Sequence, residues 1–253
     1  MRVRKSYCAA ATLSLLLLLA CLQGKSQLFI GAEGGPNMNY LTTSNASEPF
    51  TNYQGMKGWN IGIPVGYKFF DWLSVMVAPT YITKNYDIVR TGFFTGVYQK
   101  NYNTYWQVPL NARFSFGGKE LRGFVDLGGY AAYWSSGRQK GVEANILNEN
   151  DTAYETVNPT SILGEDNAYS YNQKYTFNST KDNRLEFGVV GGVGVQYELF
   201  ETYTFYLEGK YYRAMTDEQK HYETNQAPRY NDNFGVVLGC TVEVKKIVSL
   251  FKK

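Results

Sequence analysis

The sequence contains little cysteine and almost no histidine. Its 253 residues include three Cys and one His. Two of the cysteines, Cys8 and Cys21, lie in the first 26 residues. If that segment is removed on export, Cys240 is alone and no internal disulfide can form. His221 is the single histidine available to any catalytic set.

Long apolar runs are also missing. The mean hydropathy is −0.35, and the apolar run Ala9–Ala20 is too short to span a bilayer as a helix. A basic start precedes this run, and small residues stand before Gln27. This pattern predicts a secretory signal peptide over residues 1–26, cut before Gln27. Because LLAC, which ends at Cys21, resembles a lipobox, lipidation at Cys21 is the alternative.

Neither sign of charge dominates once residues 1–26 are set aside. They contain four cations and no acids, so the 25 Lys and Arg of the whole chain become 21, against 22 Asp and Glu. The remaining sequence has no basic stripe, which argues against a nucleic-acid partner.

Aromatic residues and glycine are plentiful. Aromatics make up 16% of the chain, with 22 Tyr, and there are 25 Gly, a mixture that favours strands and turns. In KGWNIGIPVGYKFF (57–70) every second residue is apolar, which is typical of a strand between two environments. The same alternation predicts eight strands, at about Leu28–Met38, Gly58–Phe69, Leu73–Thr83, Tyr102–Phe116, Arg122–Ser135, Arg184–Tyr197, Tyr203–Arg213 and Asn233–Val244.

The connections between these strands alternate in length. Three are hairpin-sized, whereas four are long and rich in Asn, Thr, Ser, Tyr and Gly, at about 40–57, 84–101, 136–183 and 214–232. This pattern predicts an all-β protein: an eight-stranded, antiparallel, up-and-down transmembrane β-barrel with short periplasmic turns and long extracellular loops. The barrel would span residues 27–244. Residues 245–253 would be a basic C-terminal extension or the end of the last strand.

The apolar face carries almost no charge across all eight strands, as hydrocarbon requires. The opposite face mixes glycine with scattered charges, unlike a soluble surface and like a narrow barrel interior. We therefore expect outer-membrane lipid to be a partner of the apolar face. The residues expected to face lipid include Trp59, Ile61, Ile63, Val65, Val108, Leu110, Val189, Val193, Val236 and Leu238. A soluble periplasmic ligand-binding barrel, with this face inside, is the alternative architecture.

The charged residues of the opposite face are expected to form a polar network inside the barrel. They are Lys68, Arg113, Asp126, Glu186, Glu208 and Lys210. Buried charges need partners, so we expect these groups to pair and fill an interior too narrow for an open channel. An ion or proton path through a narrow pore is the alternative.

Four stretches are similar to one family. YWQVPLNARFSF (105–116), FVDLGGYAAYW (124–134), FGVVGGVGVQYEL (187–199) and NDNFGVVLGCTVEV (231–244) resemble strands of the PorT-like outer-membrane β-barrel proteins of Bacteroidota-type bacteria. The resemblance covers essentially the whole mature chain. It implies an eight-stranded outer-membrane barrel with both termini in the periplasm, and one branch of the family assists protein secretion. Such barrels usually end on an aromatic residue, whereas this chain continues as KKIVSLFKK.

We expect no enzymatic activity, no cofactor and no metal site. A lipid-modifying enzyme with a Ser–His–acid set is the alternative, but His221 lies in the fourth long loop with no serine near it in sequence. We expect a structural or loop-mediated binding role at the cell envelope. The third loop, 136–183, is the surface best suited to an unidentified protein or glycan partner. Within it, Asp151-Thr152-Ala153 resembles an O-glycosylation site, at Thr152.

Overall fold

The computed structural model describes residues 27–43, 50–144, 168–200, 202–223 and 226–245. These residues form twelve strands and one short 3₁₀ turn, Gly92–Phe94. The strands are β1 Gln27–Thr43, β2 Thr51–Gly62, β3 Val65–Phe70, β4 Leu73–Val77, β5 Thr80–Thr83, β6 Tyr86–Arg90, β7 Tyr98–Gly117, β8 Leu121–Ala144, β9 Ala168–Lys174, β10 Leu185–Leu199, β11 Tyr203–Ala214 and β12 Arg229–Glu243. The predicted all-β, antiparallel, up-and-down fold is confirmed. No helix within the described residues is long and apolar enough to cross a membrane.

The strand pairings close on themselves in a ring of eight arms. Strands β2 and β3 follow one another along one arm, and β4, β5 and β6 along the next. The ring closes because β1 pairs with β12 on one side and with β2 and β3 on the other. Strand β9 lies outside the ring and pairs only with the end of β8.

Two of the four strands beyond the predicted eight arise where proline divides an arm, a third arises at the break between β5 and β6, and the fourth is β9. Proline has no backbone N–H and interrupts a ladder, and Pro64 and Pro79 stand at two of the breaks within arms. Their carbonyls still accept neighbouring N–H groups, from Gly31 to Pro64 at 2.9 Å and from Ile63 to Pro79 at 3.0 Å. Each arm therefore continues through its break.

Two of the four predicted long loops are wrong, and a third is shorter than expected. The ladder runs on through most of 40–57 and 84–101, leaving only 44–50 and 91–97 between strands, and β8 extends into 136–183 as far as Ala144. In these stretches polar residues occur on both faces of the strands, so the alternation that marks a strand in the sequence weakens while the backbone pairing persists.

The two faces of the ring are inverted relative to a soluble protein. All ten residues expected to face lipid lie on the outer wall with large exposed fractions, from 36% for Val65 to 67% for Val193. Charged and amide side chains fill the interior instead, and Asp126, Lys210 and Lys84 are wholly buried. The soluble alternative requires the opposite arrangement of faces.

Candidate functional site

Glycines on the inner face make room for long polar side chains. A Cβ added at Gly192 would lie 2.3 Å from a carboxylate oxygen of Glu208, and one at Gly128 would lie 2.0 Å from the carbonyl oxygen of Leu110. Any larger residue at these two positions would collide with its neighbours. The glycine-rich alternation of the sequence thus creates the space in which the interior charges meet.

The first cluster lies towards the end of the ring that carries the short turns. The Arg113 guanidinium donates two hydrogen bonds to Asp126, at 2.9 and 2.8 Å, and a third to Glu208 at 2.9 Å. The same guanidinium stacks on the ring of Phe124, 3.7 Å from its centroid. Fork-shaped contacts of this kind fix both the distance and the orientation of the partners.

The cluster continues across the ring to β1. The Lys210 ammonium donates to both Glu33 oxygens, at 2.9 and 3.0 Å, and lies 3.6 Å from Glu208. The Tyr206 hydroxyl donates to Glu33 at 2.6 Å. These residues with Arg113 and Asp126 form what we call the turn-side cluster. Glu33 was missed by the sequence analysis, although its alternation with Ala32 and Gly34 places it on the polar face.

A second group, the loop-side cluster, lies nearer the long loops. Lys84 and Glu186 form a buried ion pair. Tyr130 donates to Glu186 at 2.7 Å, and Asn231 donates to its other oxygen at 2.9 Å. The Lys84 ammonium also lies 4.9 Å from the ring centroids of Tyr105 and Tyr130. Sequence analysis assigned Lys84 to a loop because the alternation fails beside it.

Lys68 is the predicted network residue that joins neither cluster. Its ammonium lies 3.6 Å from Asp71 at the turn end, where its side chain is 26% exposed. Lys68 alternates onto the inner face, but it lies near the end of β3, where water reaches its side chain. The other five predicted residues lie buried within the two clusters.

Two buried amide side chains lie along β7 between the residues of the two clusters. Gln107 and Asn111 are buried, and their side-chain oxygen and nitrogen atoms have no hydrogen-bond partner within the described residues. Small cavities of about 60 Å³ lie at the two ends, one reaching Arg113 from the turn end and one beside Glu218 at the loop end. The ion clusters lie between these two cavities.

Glu218 occupies the loop end of the interior. It lies between β11 and β12, outside both strands, yet it is buried. Its carboxylate accepts long hydrogen bonds from Tyr86 at 3.3 Å, Asn103 at 3.4 Å and Tyr105 at 3.5 Å. Burial raises the pKa of the Glu218 carboxyl to about 7, against the opposing effect of the Arg229 charge.

We expect Glu218 to make stability depend on pH. Between its unfolded pKa of 4.5 and its folded pKa of about 7, the folded state holds a proton that the unfolded chain releases. Stability therefore falls as pH rises through this window, by about 3 kcal/mol in total, and is then constant. The difference between the unfolding free energies of the wild type and Glu218→Gln, measured in urea from pH 4 to 8, should follow this curve. A difference that does not vary with pH would contradict it.

The comparison with known protein families agrees with this geometry. The model of the family described as outer membrane protein beta-barrel domain matches residues 23–220. The chain belongs to this family. The predicted outer-membrane β-barrel family is thereby confirmed, and the family supports an outer-membrane location. The finer resemblance to the PorT-like proteins stays a prediction, and no curated protein matches the sequence.

Several solved structures resemble the barrel at low sequence identity. Neisserial surface protein A is 12% identical, covering 86% of this chain and 98% of its own, with a TM-score of 0.40. OprG from Pseudomonas aeruginosa is 12% identical, covering 85% and 95%, with a TM-score of 0.43. Ail of Yersinia pestis is 8% identical, covering 85% and 99%, with a TM-score of 0.37.

The remaining candidate residues lie at the loop end of the barrel or outside the described residues. His221 is exposed in the loop between β11 and β12 and forms no hydrogen bond or ion pair within the described part of the chain. Thr152, residues 1–26 and most of 245–253 lie outside the described residues, as does the centre of the 136–183 loop.

Proposed function

We propose that this protein is a non-enzymatic outer-membrane β-barrel with a plugged interior, which acts at the cell surface through its loop end. One observation carries the proposal: the ring has an apolar outer wall and an interior filled by paired charges. In water this arrangement would expose the apolar residues and bury the charged ones, at a cost on both faces. In a bilayer both faces find a suitable environment.

The aromatic residues of the outer wall support the same orientation. Towards the loop end, Tyr81 lies between Trp59 and Trp106, with ring centroids 5.3 and 5.2 Å away. Towards the turn end, Trp72 stacks on Phe70 at 5.7 Å and on Phe114 at 6.2 Å. These two groups resemble the aromatic belts that border the hydrocarbon layer.

The distance between the belts suits a membrane. Phe116 is 60% exposed two residues beyond Phe114 and extends the turn-end group on β7. It stands ten residues from Trp106, which is about 33 Å along a strand at about 3.3 Å per residue. A strand tilt of about 40° reduces this to about 25 Å along the barrel axis. Apolar bands of outer-membrane barrels have this height.

The loop end is the part proposed to act. The signal peptide and the short turns would leave the termini in the periplasm, so the loop end would face outward. Strands β8 and β9 project there and support the 136–183 loop. A protein or glycan partner is expected to bind this region, and assistance in secretion is one form that such binding would take. A lipid-modifying activity is disfavoured because His221, its one candidate, is exposed away from the wall.

Fractionation and conductance together test the proposal. We expect the full-length protein in the outer-membrane fraction, migrating faster on an SDS gel when unboiled, because a closed barrel resists SDS. In a planar bilayer the purified protein should give no steady conductance steps, since the ion clusters fill the interior. Soluble periplasmic protein without a mobility shift would overturn the barrel. Steady conductance steps from a protein that does shift would overturn the plug alone.

A further inference from the structure

A group of cations stands on the outer wall, on the loop side of the aromatic belt. In the strand register, Lys100 of β7 lies opposite Lys140 of β8, and Arg138 of β8 lies opposite Lys174 of β9. Residues directly opposite each other have Cβ atoms about 5 Å apart, and alternate residues share a face. These four side chains are therefore neighbours, and we call them the cation patch.

The patch faces away from the interior. Between Arg138 and Lys140, the Gln139 side chain points the other way and donates to Asn101 at 3.2 Å inside the barrel. Arg138, Lys140 and Lys174 are exposed, and Lys100 is partly exposed.

Arg184 connects the patch with the aromatic belt. Its guanidinium stacks on Tyr133 and Phe177, 4.5 and 4.0 Å from their ring centroids, and donates to the carbonyl of Trp134 at 3.0 Å. Tyr133 is 42% exposed on the outer wall, and Leu185 beside Arg184 is 54% exposed. Cations thus give way to aromatic and then apolar surface along one side of the barrel.

The charge of the patch is not balanced within the described residues. None of its four cations forms an ion pair there. Asp87, opposite Lys100 in the register of β6 and β7, is the acid on this face. Like charges placed directly opposite each other on adjacent strands destabilise a sheet, and Lys100 with Lys140 is such a pair. An anion lying over the patch would relieve this repulsion.

We propose that the cation patch binds the phosphorylated headgroup of an outer-leaflet lipid, whose acyl chains lie on the apolar wall beyond Tyr133. The inference rests on the proposed membrane-embedded barrel. The fork of Arg138 suits a phosphate, and the lysines supply additional positive charge. No deep pocket is required, because the headgroup is held from one side by the patch and from the other by the membrane.

The height of the patch fits a headgroup. Arg138 lies opposite Tyr102, four residues from Trp106 on β7, and Lys140 lies opposite Lys100, six residues from Trp106. These separations correspond to about 10 and about 15 Å along the axis of a tilted strand. Long Lys and Arg side chains can reach several ångströms back towards the interface. Their charged ends would then lie among the phosphates that border the hydrocarbon layer.

Lipid binding by native mass spectrometry tests the site. The full-length protein, folded in detergent, is titrated with phosphatidic acid, which carries a phosphate monoester, and separately with phosphatidylcholine. We expect the wild type to retain phosphatidic acid preferentially. Replacing all four patch residues, as K100Q/R138Q/K140Q/K174Q, should weaken that binding by about tenfold or more, because each cation near an anionic headgroup contributes a measurable share of the affinity. Phosphatidylcholine binding should not change.

A variant with equal loss of charge is the control. K57Q/K119Q/K181Q/K220Q also removes four cations but leaves the patch intact, and it should bind phosphatidic acid within about twofold of the wild type. Equal binding by the patch variant and the wild type would overturn the lipid site. So would equal weakening in both variants, because general charge would then explain the affinity.

Two further checks keep the outcomes distinct. Each variant is first run boiled and unboiled on a gel. A wild-type protein without a mobility shift would count against the membrane barrel itself, whereas a shifting protein without lipid preference would count against the patch alone. If the fourfold variant does not fold, K100Q/K140Q provides the test. It removes the opposed pair of lysines but also takes Lys100 away from Asp87, so we expect it to fold with little change in stability and to bind phosphatidic acid about threefold less tightly.

Discussion

Val193→Arg is expected to lower the unfolding free energy by about 2–4 kcal/mol in phospholipid vesicles, because a cation near the bilayer midplane loses its hydration. Val193 lies near the middle of β10 and is 67% exposed on the outer wall. On a water-exposed surface the same change would fall within about 0.5 kcal/mol of zero. The loss of unfolding free energy in this variant therefore distinguishes lipid from water at the outer wall. The measurement is urea unfolding in vesicles, followed by tryptophan fluorescence.

Met215→Arg provides the matched control. Met215 is 69% exposed, almost the same fraction as Val193, but it follows the end of β11 on the loop side. Near an interface the cost of a cation falls to about 0–1 kcal/mol. Equal and small effects of both substitutions would mean that water covers the whole wall. The urea unfolding curves of the two variants thus distinguish the effect of depth in the membrane from the effect of exposure alone.

The assignment of residues to the two faces could be predicted because the environments make opposite demands. Ile61 and Ile63 alternate with Asn60 and Gly62, and an uncharged apolar face opposite a glycine-rich polar one favours lipid on the first face and a narrow interior on the second. The same logic places Arg113 inside, although arginine is otherwise among the most exposed residue types. Both assignments follow from the alternation of apolar and polar residues along a strand.

The partners of the charges could not be predicted in the same way. Glu33 and Lys210 are 177 positions apart and meet only because the ring closes. The alternation fails at Lys84, which stands at a break between β5 and β6, so the sequence pattern predicts a loop there. The alternation places Lys68 on the inward face correctly, but Lys68 lies near the turn end and not in the interior. Alternation shows which face a residue is on and not how far along the barrel axis it lies. Pairing across a barrel depends on closure and stagger, which a local pattern does not encode.

The loop end was the least predictable part for a related reason. Beyond the aromatic belt the inner face of β7 carries buried amides such as Asn101 and Asn103, and the outer face lies past the apolar layer, so neither face needs to be apolar. The cation patch arises there from the register of three strands, since Lys100, Lys140 and Lys174 are distant in sequence but adjacent in the sheet. A list of loop residues would not have brought them together.

Arg113→Met is expected to lower the unfolding free energy by about 3–5 kcal/mol, because it leaves buried carboxylates without their main partner. Arg113 makes three charge-assisted hydrogen bonds to Asp126 and Glu208. After its removal Lys210 is the one cation left in the turn-side cluster, facing three carboxylates. Lys68→Met serves as the control, since its ion pair with the exposed Asp71 is longer and partly hydrated, and its loss should cost under about 1 kcal/mol.

A double variant shows whether the loss of unfolding free energy comes from the carboxylates that are left without Arg113. Adding Asp126→Leu to Arg113→Met removes one carboxylate that has lost its partner and should recover part of the lost stability, so that the two effects are not additive.

A plugged barrel and an open pore predict different results for Arg113→Met. If the cluster fills the barrel, Arg113→Met changes the unfolding free energy and the protein stays non-conducting. If the cluster instead lines an ion path, stability should change little while a conductance appears or alters its ion selectivity. Because urea unfolding and bilayer recording can be done on the same purified variant, the two roles of Arg113 separate without knowledge of any partner.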